Sequence, residues 1–179
     1  MYFLQPTESL IRAQEDDIVR EVTVGDLLRE VAVERASATA LLEVDMEGQT
    51  GRNWTYSGLL SDSEQLALSL ASRYSQGERI TVWAPNVPEW LLIEYACALA
   101  GLVLVTANPS YQDKELRYVL EQSGSVALFL VKHYRGNPMH EIALKATEGL
   151  AAVREIVDVD DHAALFRMGD RASVLPDVC

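Results

Sequence analysis

Between Ile80 and Tyr111 the chain commits itself to one kind of fold. An apolar segment, Ile80–Ala84, runs into a turn, and a proline-started apolar stretch follows from Pro88 to Ala100. Gly101 then leads into a second apolar segment, Leu102–Thr106, which ends at Asn108-Pro109. Pro88 suits the first turn of a helix, where its missing N–H has no intrahelical partner. Gly101 supplies a left-handed stop. Pro109 restricts the residue before it and opens the turn into the next element. Strand, buried helix and strand in that order form an α/β crossover unit, and such units build parallel sheets.

The alternation continues downstream. Ser110-Tyr-Gln-Asp113 has the form of a capping box, and Leu116, Val119 and Leu120 give the helix behind it an apolar face up to Gly124. A strand over 126–131, a helix near 139–148 and a strand near 155–159 complete the series. Upstream, Thr23-Val-Gly-Asp26 caps a helix expected over 24–35. Strands at 40–44 and 52–56 flank the polar turn at 47–51. A long amphipathic helix is expected over 57–74, with Glu64 and Arg73 facing solvent. The fold class is therefore α/β: a mainly parallel sheet with helices on both faces, plus a short N-terminal helix and hairpin. Residues 1–22 read as an N-terminal extension, 23–159 as the α/β portion, and 160–179 as a short helical piece followed by linker.

Charge narrows the possible partners. Fifteen Lys+Arg against 27 Asp+Glu leave a net charge of −12, which disfavours nucleic acid and anionic membranes and opposes polyanions such as ATP. The apolar run from Trp90 to Val105 carries Glu94 and is broken by Gly101, so it reads as helix and strand rather than a membrane span. The start, Met1 to Pro6, lacks a signal-peptide pattern. Cys97 in its apolar helix and Cys179 at the last position form no disulfide framework, which fits a cytoplasmic setting.

Three runs carry a more specific resemblance: Asn53-Trp-Thr-Tyr-Ser57, Ala84-Pro-Asn-Val-Pro-Glu-Trp90 and Ala98-Leu-Ala-Gly101. Ala107-Asn-Pro-Ser-Tyr111 and Glu115-Leu-Arg-Tyr-Val-Leu-Glu-Gln-Ser-Gly124 extend it. In this order and spacing, over residues 20–160, the chain resembles the N-terminal part of adenylate-forming acyl-CoA synthetases. Val131-Lys-His-Tyr-Arg-Gly-Asn-Pro138 is most similar to the branch of fatty-acyl and related acyl-CoA ligases. The resemblance implies a parent enzyme that attacks the α-phosphate of ATP with a carboxylate and then displaces AMP with the CoA thiol, using Mg²⁺. Its partners would be the remainder of the synthetase chain and a carboxylic acid.

The family's phosphate loop, approximately Thr-Ser-Gly-Thr-Thr-Gly-x-Pro-Lys, lies downstream of the region matched. Among ten glycines only Gly48 and Gly51 stand three apart, and neither G-x-G-x-x-G nor G-x-x-x-x-G-K-[ST] occurs. No catalytic, cofactor-binding or metal-binding residue is therefore assigned, and the chain alone is expected to bind no cofactor and to be inactive. A stand-alone scaffold or interaction protein on the same fold is the alternative. A reading frame continuing past Cys179 into a Thr/Ser/Gly-rich loop favours the fragment, and a stop codon there favours the scaffold.

The remaining candidates have simpler readings. His140-Glu141 opens like a zinc-protease helix, but Leu144 stands where the second histidine belongs, and His133 and His162 have no ligand spacing around them. Lys132, His133 and Arg135 form a small basic cluster after an apolar strand, where sheets of this kind place ligand crevices. A solvated loop is the reading preferred here. Ser125 lacks a nucleophile elbow. Trp54, Trp83, Trp90, Tyr56 and Tyr95 are assigned to packing, as is Cys97. Cutting such a scaffold from a larger domain exposes apolar surface, so self-association is expected.

Overall fold

The computed structural model describes residues 20–45, 47–171 and 175. Cys179 and the N-terminal Met1–Pro6 stretch lie outside them. In chain order the elements are α1 (Val24–Glu34), β1 (Thr39–Val44), β2 (Thr50–Thr55), α2 (Tyr56–Arg73), β3 (Arg79–Trp83) and α3 (Pro88–Ala100). Next come β4 (Val103–Thr106), α4 (Asp113–Ser123), β5 (Ala127–Leu130), α5 (Met139–Thr147), β6 (Glu155–Asp158) and α6 (His162–Leu165). The α/β class and its alternation are as the sequence implies.

Strands β3 to β6 form one parallel sheet in the order β4-β3-β5-β6, and β1 pairs antiparallel with β2 in a separate hairpin. The chain steps outward from β3 to β4, returns across β3 to β5, and continues to β6. Right-handed crossovers then place α3 on one face and α4 with α5 on the other. The packing agrees: α1 and α2 lie against α3, and α4 lies against α5. Every residue of β5 is buried, as are four of the five in β3, which suits central strands covered on both faces.

Local chemistry explains most element ends. Thr23 Oγ1 accepts from the Asp26 amide at 3.1 Å, and its hydroxyl donates to the Asp26 carboxylate at 2.7 Å. Gly101 (φ 68°) and Gly124 (φ 65°) close α3 and α4 in the left-handed region. One start is displaced. The capping box of α4 is formed by Gln112 and Glu115, not by Ser110 and Asp113. Asn108 is the cause: its Oδ1 accepts from the Ser110 amide at 2.9 Å and its carbonyl accepts from the Tyr111 amide at 3.0 Å, so Ser110 belongs to a turn.

Arg73 is the larger correction. Its side chain is 4% exposed, not turned to solvent. The guanidinium lies over the rings of Tyr74 and Phe129 at 5.3 and 5.8 Å, pairs with Glu155 at 3.6 Å, and donates to the Leu165 carbonyl at 2.9 Å. The stretch after α6 covers it. Ser69 Oγ donates to the Arg167 carbonyl at 2.8 Å, the Gly169 amide donates to Ser72 Oγ at 2.7 Å, and Arg171 donates to Ser75 Oγ at 2.7 Å. Residues 165–171, expected as linker, are thus bound along the last turns of α2.

Candidate functional site

In a sheet wound in both directions, the loops at the carboxyl ends of the strands carry the binding crevice, because neighbouring connections leave toward opposite faces. Here that edge is built from the loop 84–87 after β3, the loop 131–138 after β5, and the segment from Asp158 to α6. Trp83 anchors it from beneath. The ring is fully buried, and the indole N–H donates to the Asn108 carbonyl at 2.8 Å, tying the end of β3 to the turn after β4.

Lys132, His133, Asp158, Asp160, Asp161 and His162 line an open crevice along this edge. Lys132 Nζ meets Asp158 Oδ2 at 2.8 Å, and this contact and the attraction of Asp158 raise the lysine above its ordinary range. Asp161 is occupied as the cap of α6, accepting from the Ala164 amide at 3.1 Å. His162 stacks on Phe166 with ring centres 4.4 Å apart. Of the basic cluster, only Lys132 and His133 reach the crevice. Arg135 sits at φ 46° in a tight turn closed by Tyr134 and Asn137, with its guanidinium 5.2 Å from the Tyr134 ring.

On the other side of the β3–α3 loop, the hairpin is clamped to α3. Arg52 makes a fork with Glu43 (2.9 and 3.0 Å) and reaches Glu89 in the first turn of α3 at 2.5 and 3.3 Å. Donation by Arg52 holds the Glu43 carboxyl below its usual value. Asp160 is shifted the other way. Partial burial raises it first, followed by the neighbouring charges of Asp158 and Glu89. None of Arg52, Asp158 and Asp160 stood out in the sequence, and Glu89 entered only within the run Ala84–Trp90. The acidic run Asp158–Asp161 was the available signal for the two aspartates.

Asp160 gives a pH-dependent prediction. A carboxyl raised in the folded state binds its proton more readily there than in the unfolded chain, so its contribution to stability falls as pH rises through the raised value. Asp160→Asn is expected to stabilise the chain at pH 7 by about 0.5 kcal/mol or less, since the group is largely solvated. The gain should vanish by about pH 3, where the aspartate is protonated in both states. Urea melts of both proteins at the two pH values check this, and destabilisation at pH 7 would refute it.

These residues do not suit a triphosphate. Three carboxylates surround one lysine that is already paired, and a Ser/Thr/Gly-rich loop of backbone donators is not among the lining groups. Among the described residues, no group of three or more His, Cys, Asp and Glu side chains is arranged to hold a metal ion. No described helix is long and apolar enough to cross a membrane. The aromatics pack: Trp54, Tyr56, Trp90 and Tyr95 lie half-buried against the core. Cys97 is buried in α3, and burial pushes its thiol well above the usual range. Ser125 Oγ is buried between the hydroxyls of Thr81 and Ser123, each at 2.7 Å.

Residues 28–176 match the family model of AMP-binding enzymes. A putative acyl-CoA synthetase of Bacillus subtilis, YngI, is 35% identical over 121 residues, covering 67% of this chain and 21% of that protein. The mitochondrial medium-chain acyl-CoA ligase ACSF2 of Macaca fascicularis is 33% identical over 121 residues, covering 67% of this chain and 19% of that protein. The chain thus spans about a fifth of the length of the curated relatives it matches. Among solved structures, a putative long-chain-fatty-acid CoA ligase from Rhodopseudomonas palustris superposes with a TM-score of 0.70 at 23% identity, over 88% of this chain and 39% of that one. At that identity the likeness concerns the fold.

Proposed function

The chain belongs to the family of AMP-binding enzymes, and from that premise we propose that it is the N-terminal portion of an ATP-dependent acyl-CoA synthetase. The parent reaction would join a carboxylic acid to CoA through an acyl-adenylate, releasing AMP and pyrophosphate. The observation that carries this reading is a family match over residues 28–176 in a chain spanning only 21% of its Bacillus subtilis relative. ATP, Mg²⁺ and CoA would be held by residues downstream. This chain's own part is to supply the parallel sheet and the buried α3 on which those residues are positioned.

Adenylation needs a cation and donor groups fixed around the phosphates as charge develops on phosphorus. Lys132 is the one lysine at the sheet's carboxyl edge crevice, and Asp158 already neutralises it. The isolated chain is therefore expected to give no ATP–pyrophosphate exchange above buffer with a panel of straight-chain fatty acids. The longer polypeptide encoded by the same reading frame should exchange with at least one of them. Exchange by the purified chain would overturn its inactivity. A frame that stops at Cys179 would overturn the fragment reading itself.

A further inference from the structure

We infer that the corner where the end of α2, the start of β6 and residues 165–171 meet is a docking surface for a short acidic segment of another protein. Four arginines gather there from distant points of the chain: Arg73 ends α2, Arg154 immediately precedes β6, and Arg167 and Arg171 follow α6. Among the described residues the carboxylates they pair with are Glu78 and Glu155 alone. Asp170, beside Arg171 in the chain, is in no ion pair with them.

The carboxylates are tucked in and the guanidiniums stand out. The side chains of Glu78 and Glu155 are 25% and 23% exposed, against 48% and 56% for Arg154 and Arg167. Arg171 is exposed as well. The corner therefore presents mainly positive charge to solvent, on a chain whose net charge is −12. Two ion pairs are enough to hold it together: Arg154 with Glu78 at 2.8 Å, and Arg167 with Glu155 at 2.7 Å.

The other two arginines are surplus to that. Arg73 is a third claimant on Glu155, at 3.6 Å, and its buried Nη1 has no hydrogen-bond acceptor. The Tyr74 hydroxyl also donates to Glu155, at 2.5 Å, while the guanidiniums of Arg73 and Arg154 lie 5.3 and 5.6 Å from its ring. Arg171 donates to Ser75 Oγ and is in no ion pair among the described residues. Cations gathered beyond the available carboxylates repel one another, so stability alone gives no reason to keep them. Exposed guanidiniums with donors to spare are the groups that take a carboxylate in a two-pronged grip.

Arg167 and Arg171 are spaced along one stretch at most about 14 Å apart, which suits a row of carboxylates better than one small anion. An anionic membrane or a nucleic acid is the poorer occupant, because its extended charge would also meet the acidic remainder of the surface. A second copy carries −12 and is repelled for the same reason.

The probe is a labelled Gly/Ser peptide carrying several glutamates, with glutamine in their place as the control. The chain should bind the glutamate peptide and not the glutamine one, with NMR amide shifts confined to residues 73–79, 154–155 and 165–171. Arg154→Gln with Arg171→Gln keeps Arg73, Arg167 and Glu155 together and should weaken binding by about tenfold. Arg29→Gln with Arg117→Gln removes the same charge elsewhere and should leave binding unaltered. Equal binding by the Arg154/Arg171 variant overturns the inference, as does an equal loss in the Arg29/Arg117 variant, which would reduce the effect to net charge. Tighter binding to phosphatidylserine vesicles than to the peptide overturns it in favour of a membrane. A dimer in sedimentation that the Arg154/Arg171 variant dissolves overturns it in favour of a second copy. No downstream residue enters the test, so the fragment reading stands or falls separately.

Discussion

Phe129→Ala is expected to cost the chain about 3–5 kcal/mol, a large share of the total stability of a domain of this size. Phe129 is fully buried in β5, a central strand whose four residues are all buried. Its ring meets the edge of Tyr74 with centroids 6.5 Å apart, and the Arg73 guanidinium lies 5.8 Å above it. Alanine leaves a cavity, and it also removes one of the two aromatic faces that make a buried guanidinium tolerable. Relaxation is restricted because β5 is pinned on both sides, by β3 and by β6. Equilibrium urea unfolding measures the loss. A value below about 1.5 kcal/mol, the lower range for burying one such side chain, would show that the site collapses around the cavity.

Features set by neighbouring residues were legible in the sequence. Pro88 begins α3 and Gly101 ends it because each acts through its own backbone, and the apolar run between them names a buried helix without reference to any other part of the chain. The alternation of apolar segments likewise gave the parallel sheet. What could not be read depended on residues far apart. Arg73 looks like a surface charge on an amphipathic helix until residues 165–171 fold over it and Glu155 arrives from β6. Arg52 and Glu89 stand 37 residues apart and look solvated, yet they fix the hairpin to the start of α3. The start of α4 failed for a local reason: Asn108 and Ser110 both offer turn chemistry, and the side chain two residues upstream prevailed. The family resemblance rests on scaffold residues, which is why it could assign no site.

Gly169→Ala is expected to cost about 2–4 kcal/mol, although nothing in the sequence around it marks the position. A Cβ built there would lie 2.5 Å from the Ser72 carbonyl oxygen and 2.9 Å from Arg73 Cγ. The first of these is backbone of α2, so no rotamer change relieves it. Nor does the effect come from lost left-handed freedom, since Gly169 is not among the glycines with positive φ. Two responses are open to the chain. Residues 165–171 can lift from α2, which gives up the bonds from Ser69 to Arg167, from Arg73 to Leu165, from Gly169 to Ser72 and from Arg171 to Ser75. Each such bond is worth about 0.5–1.5 kcal/mol, and that sum caps the cost. Otherwise α2 must shift, disturbing its packing on α3 and spreading the damage through the core. Hydrogen exchange separates the two outcomes. Fast exchange confined to 165–171 identifies lifting, and loss of protection along α2 identifies the shift. Gly136→Ala is the comparison, for there the φ of 81° is strained but nothing lies within 4 Å of the new Cβ. Its cost should be about 1–2 kcal/mol and should leave exchange at 165–171 unchanged. If Gly169→Ala proves no worse than Gly136→Ala, residues 165–171 are not held against α2 by this contact.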